Sequence, residues 1–163
     1  MFPLGHLGIG QQMIPARLRN RLSLGLLALG CLLPDLIDKP LYLAQRGGLL
    51  AGELSFLGGT RTIGHTLLLV AALALAARLF RSRGLAAVAL GALTHAALDL
   101  AGDLATTPRT DWKVWLLWPL FGFHFEAPGS QAALHHWLNE EYLYLAGELL
   151  GGVLLLAQFI RRR

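Results

Sequence analysis

The sequence predicts an all-α, polytopic membrane helix bundle, with about four spanning helices and a short N-terminal helix. Two observations carry that reading. The 163-residue chain is 55% hydrophobic and only 15% charged, against ~25% charged residues in a soluble domain. Its arginines gather at the ends of the apolar segments, which is the positive-inside pattern. The net charge of +4 therefore reads as topology and not as a nucleic-acid surface. The single cysteine, Cys31, excludes an internal disulfide and a Cys-rich metal knuckle. The opening "MFPLGHLGIG" has no basic stretch or small-residue cleavage site, so no cleaved signal peptide is expected. The length fits one integral membrane domain over residues 1–163.

Phe2–Ile14 is short for a span and turns at Pro15, so it reads as a half-length or tilted helix. Leu22–Ile37 is the first expected span, with "RLRNR" before it and Asp38 after it. Ile63–Phe80 runs into "RSR", and Gly84–Leu104 starts just beyond. Tyr142–Ile160 ends in "RRR". If the three arginine clusters share a face, the spans alternate in direction and that face is cytoplasmic. Long connections, Lys39–Arg61 and Ala105–Glu141, then lie on the outer face, where loops of this kind carry function.

The polar residues inside the apolar segments fall at one depth. At ~1.5 Å of rise per residue, His6, Asp35, Asp38, His65, His95 and Asp99 lie between ~16 and ~25 Å from the arginine-rich ends. Such residues are expensive in a membrane and mark function or pairing. Three imidazoles and three carboxylates without a thiolate suit zinc, manganese or iron. His95 and Asp99, at i and i+4, share a helix face, and so do Asp35 and Asp38 at i and i+3. Pro34 should kink its helix and free backbone groups nearby. Arg61, one turn before His65, is placed to meet an anionic substrate.

The motifs "GHLGIG", "LLPDLIDKP", "RTIGHT", "THAALDL" and "LLWPLFG" occur in this order. Together they resemble the membrane-bound metal-dependent hydrolases described as LexA-regulated, over roughly residues 5–122. That resemblance implies a metal-dependent hydrolase in a bacterial or archaeal inner membrane. It marks His6, Asp35, Asp38, Arg61, His65, His95, Asp99 and the Trp118–Pro119 pair. Lys39 stands where members often have His, which implies one metal fewer if that His is a ligand elsewhere. A looser likeness, in ligand order alone, is to zinc-dependent phospholipase C. It adds the HxxxE pair His136 and Glu140. A solvated first turn of the last helix accounts for His135, His136 and Glu140 slightly better than a second metal or an outer-shell role does. Glu148 lies level with His95 and is expected to orient an imidazole or to face a neighbouring subunit.

These readings converge on a membrane-embedded metal-dependent hydrolase. One to three divalent ions, zinc first with manganese or iron as alternatives, are bound by His6, Asp35, Asp38, His65, His95 and Asp99. Asp38 is a ligand or a general base, and Arg61 holds a substrate oxygen. The depth suits a lipid or lipid-linked phosphoester at the outer boundary. Trp112, Trp115 and Trp118 read as an interfacial aromatic belt or re-entrant segment, with lining the entry to the site as the lesser alternative. The alternatives are a non-enzymatic membrane protein with a structural metal site, and an ion or proton transporter. The apolar cytoplasmic half disfavours the transporter. "AGELLGG" at Ala146–Gly152 is a small-residue face that packs helices within one chain or between copies in a homo-oligomer.

Overall fold

In the computed structural model, residues 3–49, 61–106, 112–123, 125 and 130–161 are described, apart from the side chains of residues 46, 106 and 130–144. Among them every regular element is helical and none is a strand.

Helix α1 (Pro3–Met13) begins on a proline, whose missing N–H is no loss in a first turn. It stops short of Pro15. The residues it buries are Gly5, His6, Gly8, Gly10 and Gln11, small or polar rather than apolar. A single turn, α2 (Ala16–Arg19), follows. Helix α3 (Leu24–Arg46) is capped by Ser23, whose hydroxyl accepts from the Leu26 N–H. It does not end at Asp38, as the acidic pair led us to expect, but runs through Pro34 and Pro40 for two more turns. Its terminator is Gly48, at φ 72°. The Gly48 and Leu49 N–H groups return to the Gln45 and Ala44 carbonyls, which is a Schellman ending.

A 3₁₀ turn (Ile63–His65) leads into α4 (Leu67–Leu79), capped by the Thr66 hydroxyl on the Leu69 N–H. A second Schellman ending closes α4. Here Arg81 occupies the left-handed position at φ 49°, and the N–H groups of Arg81 and Ser82 reach Arg78 and Ala77. Helices α5 (Arg83–Thr106), α6 (Trp112–Leu116) and α7 (Ser130–Ile160) complete the described chain. Much of what was expected to be long loop on the outer face is therefore helix, in the last turns of α3 and the first turns of α7.

Two helix crossings set the bundle. Helix α3 packs along α5 where Gly30 and Gly91 meet. A Cβ on Gly91 would strike the Leu27 carbonyl and the Cys31 backbone nitrogen, and one on Gly30 would strike Val88. Helix α1 packs on α7 in the same way. A Cβ on Gly151 would hit the Leu4 carbonyl, and one on Gly8 would hit Gly151. The small-residue face of α7 is thus used within the chain. Helix α4 lies against α5.

Burial is inverted relative to a soluble protein. His6, Gln11, Asp38, Thr62, His65, His95, Asp99 and Asp103 are buried, while Leu75, Leu79, Phe80, Leu149, Leu156 and Ile160 are exposed. An apolar exterior around a polar interior fits lipid as solvent. Among the described residues one helix, Arg83–Ala105, is long and apolar enough to cross a membrane. Leu67–Leu79 and Leu145–Ile160 are shorter apolar helices. Helix α3 is long enough, but Asp35, Asp38 and Lys39 interrupt its apolar run, so the expected set of four spans is not met by these criteria.

The α3–α5 crossing leaves no room for a side chain. Gly91→Ala is expected to lower stability by about 1–3 kcal/mol, as overpacking does. Gly25→Ala, where an added Cβ meets nothing within 4 Å, should leave it unchanged or slightly raised. Thermal denaturation of both variants in detergent checks this.

Candidate metal centre

The site forms where α1, α3, α5 and the 3₁₀ turn meet. Helix α5 supplies His95 and Asp99, α3 supplies Asp35 and Asp38, the 3₁₀ turn supplies His65, and α1 supplies His6. Six sequence-predicted residues from four segments are thus brought together.

Asp38 is fully buried and anchors the arrangement. Its Oδ2 accepts from the Thr62 N–H at 2.6 Å and its Oδ1 from the Thr62 hydroxyl at 2.7 Å and the Gly64 N–H at 2.9 Å. His65 Nδ1 is 2.6 Å from Oδ2. A carboxylate so placed can only accept, so His65 Nδ1 carries a proton and donates it, and Nε2 is the nitrogen that faces the centre. Helix α3 fixes the second imidazole too. His95 Nδ1 lies 2.7 Å from the Cys31 carbonyl oxygen. That carbonyl is an obligate acceptor, so His95 Nδ1 donates and its Nε2 also faces the centre. Cys31 stands one turn before Pro34, where backbone groups were expected to be released.

The two Nε2 atoms face each other at 3.1 Å. Asp99 Oδ2 is 3.4 Å from His65 Nε2 and 3.7 Å from His95 Nε2. Asp35 Oδ1 is 3.7 Å from His65 Nε2. The His6 ring stacks on His95 with centroids 3.8 Å apart, and its Nε2 is 3.4 Å from Asp99 Oδ1. Its buried Nδ1 has no hydrogen-bond partner among the described residues. Two ring nitrogens at this distance share a proton in a hydrogen bond or hold a cation between them. Imidazole nitrogens and carboxylate oxygens converging on one point suit a divalent cation. Two overlapping groups have ligand atoms close enough to hold an ion: His65, His95 and Asp99, and His6, Asp35 and His95.

Asp38 belongs to neither group. Its oxygens are occupied by four protein donors, which makes it an orienting carboxylate for His65. Asp35 remains partly open at 14% exposure and pairs with Lys39 at 2.6 Å. Arg61 differs from expectation in the same sense. Its Nη1 is 2.6 Å from both Asp103 oxygens and its Nε is 3.1 Å from Asp99 Oδ2. Its guanidinium also lies over Trp115, 5.2 Å from the ring centre. Arg61 is thus tied to site carboxylates, and holding a substrate oxygen is not its visible task.

The sequence reading missed Asp103, Thr62 and the Cys31 carbonyl. Asp103 had a signal, because it continues the His95–Asp99 face by another four residues. The tryptophans point inward more than a belt would. Trp115 is buried edge-on to His65, and Trp118 stacks on Phe125. Glu148 does not orient an imidazole. Its Oε1 accepts from the Gly5 N–H at 2.7 Å and its Oε2 from the Leu4 N–H at 3.1 Å. It caps the first turn of α1, whose N–H groups have no partners within the helix and whose dipole favours an anion. The side chains of His136 and Glu140 lie outside the described residues.

A family model described as YdjM inner membrane protein matches residues 1–161. The chain belongs to the YdjM inner membrane protein family. It is accordingly a membrane protein, and the resemblance to the LexA-regulated membrane family holds at that level. No curated protein and no solved structure matches the chain. The likeness to zinc-dependent phospholipase C gains no support from these comparisons.

Asp38 and Glu148, which lie outside the candidate ligand groups, can be told apart by their replacements. Asp38→Asn sets an amide NH₂ against donors from Thr62, Gly64 or His65 and should destabilise the fold by ~2 kcal/mol or more. Glu148→Ala removes a helix cap and should lower stability by ~1 kcal/mol. Denaturation midpoints of the purified variants give the comparison.

Proposed function

We infer that this YdjM-family protein is a membrane-embedded, metal-dependent hydrolase acting on a phosphoester or lipid head group at the outer membrane–water boundary. The observation that supports it most is the convergence of the His65 and His95 Nε2 atoms, 3.1 Å apart, with the Asp99 carboxylate in one group of closely spaced ligand atoms. The donor set fits the group the resemblance implies. His65, His95 and Asp99 would hold one ion, and His6 and Asp35 extend the set toward a second, with zinc the first choice for these donors. A divalent ion there would supply Lewis-acid activation of water and of a phosphoryl or carbonyl oxygen.

The chain's own residues divide the remaining work. Asp38 and the Cys31 carbonyl accept from the two Nδ1 atoms and aim both Nε2 atoms inward. Arg61 and Asp103 fix the Asp99 carboxylate from the opposite side. Asp35 is the carboxylate nearest solvent, and its Oδ1 is the oxygen not held by Lys39. It is better suited than buried Asp38 to receive and pass on a proton. Trp115 closes the wall beside Arg61 and His65 and limits water entry. The four spans, the cytoplasmic arginine clusters and the outward-facing site all belong to this reading.

A structural metal site is the second reading, and burial favours it. His6, His65 and His95 are 1%, 2% and 0% exposed, and a structural site has no position open to substrate. Metal analysis and an assay for phosphate or head-group release from mixed lipids separate the two. The hydrolase reading expects about one or more ions per chain, loss of metal in His95→Ala and Asp99→Ala, and turnover that falls at least tenfold in Asp35→Asn. Metal content unchanged in both ligand variants would overturn the site. Tight metal with no turnover on any lipid would leave the structural role standing and the hydrolase rejected.

A further inference from the structure

A second polar cavity lies away from the candidate metal centre, between the α1–α2 bend and the last turns of α7. It holds about 230 Å³ and is lined by Gln12, Arg19, Gln158, Arg161, Leu154 and Ala157, among others. Along α7 it begins at Leu154, ~9 Å from Glu148, the residue that holds the metal-site end of α1. The cavity brings two of the three arginine clusters, from opposite ends of the sequence, to one place.

Its walls are arranged for an anion with an apolar tail. Arg19 is held in position, its Nη1 donating to the Gln11 carbonyl at 3.1 Å and to Gln12 Oε1 at 2.5 Å. Arg161 stands across from it on α7. Gln158 Nε2 donates to Gln11 Oε1 at 3.4 Å, while the buried Gln158 Oε1 has no hydrogen-bond partner among the described residues. Exchanging the ends of that amide would orphan the nitrogen instead, so either way one polar atom of this cavity-lining side chain has no partner among the described residues. Leu154 and Ala157 make the apolar side. The space is on the order of eight water volumes, room for a phosphate and a small alcohol group.

We propose that this cavity binds the phosphate head group of an anionic phospholipid, phosphatidylglycerol being the probe that fits. Two guanidinium groups meet the phosphate oxygens through charge-assisted hydrogen bonds. The unpartnered Gln158 amide meets a head-group hydroxyl. Leu154 and Ala157 receive the start of an acyl chain. Basic pockets between helices at the arginine-rich face of a membrane protein are suited to such lipids. The site is independent of the metal-centre reading, since no residue is shared.

The test is native mass spectrometry of the full chain in detergent, titrated with phosphatidylglycerol, phosphatidylcholine or inorganic phosphate. One phosphatidylglycerol per chain should bind at least tenfold more tightly than phosphatidylcholine. Arg161→Ala and Gln158→Leu should each weaken it several-fold, and Arg19→Ala combined with Arg161→Ala should abolish the preference. Arg78→Ala, which changes a basic residue outside the cavity, and His95→Ala, which changes the metal centre, should bind as the wild type does. Equal loss in Arg78→Ala would mean general charge attraction and would overturn the proposal. So would unchanged binding in both cavity variants, or binding of inorganic phosphate without the lipid.

Discussion

Everything at the polar centre depends on how two imidazoles are held from behind. His65 is gripped by a buried carboxylate that itself accepts from Thr62 and Gly64, and His95 by a backbone carbonyl one turn before a proline. Both grips act on Nδ1, so both Nε2 atoms are directed at one point. In water each would be solvated separately. Inside an apolar bundle charge at that point is little screened. His65, His95 and Asp99 there offer ligand atoms close enough together to hold a metal ion. The bundle around them is built to hold the two rings at this spacing, because α3 contributes to both grips while α5 carries one of the rings.

The closeness of α3 and α5 is therefore as much a feature of the site as of the fold. It exists because glycines occupy the crossing on both helices, and the same device brings α1 onto α7. Helices in lipid gain little from burying leucine, since the surroundings are equally apolar. Close backbone approach and polar contacts do the associating instead. The exposed leucines and phenylalanines and the buried His, Asp and Thr side chains follow from that one condition.

The residues of the centre were legible in the sequence because depth along a helix can be counted, and six costly residues fell at one level. Their roles were less legible. Asp35 and Asp38 look equivalent as an i, i+3 pair, yet one is enclosed by the residues after Arg61 and the other stays near solvent. That division depends on where a distant turn lands. Glu148 was placed correctly in depth but not in azimuth, so its bond to the first turn of α1 was invisible. The ends of α3 misled for a local reason. Acids and prolines read as terminators, whereas the helix stops where Gly48 can adopt a left-handed conformation. The Cys31 carbonyl is backbone, which no residue pattern reports.

The bond between Glu148 and the start of α1 also orders events in time. It joins groups 143 and 144 residues apart. At a synthesis rate of ~5–20 residues per second, α1 emerges on the order of ten seconds before the carboxylate that caps it. Through that interval α1 can already pack on α3 and α5, and His6 can stack on His95, but the N–H groups at its start stay uncapped. The last helix therefore completes the polar centre rather than starting it, by capping an element that the middle of the chain has already received.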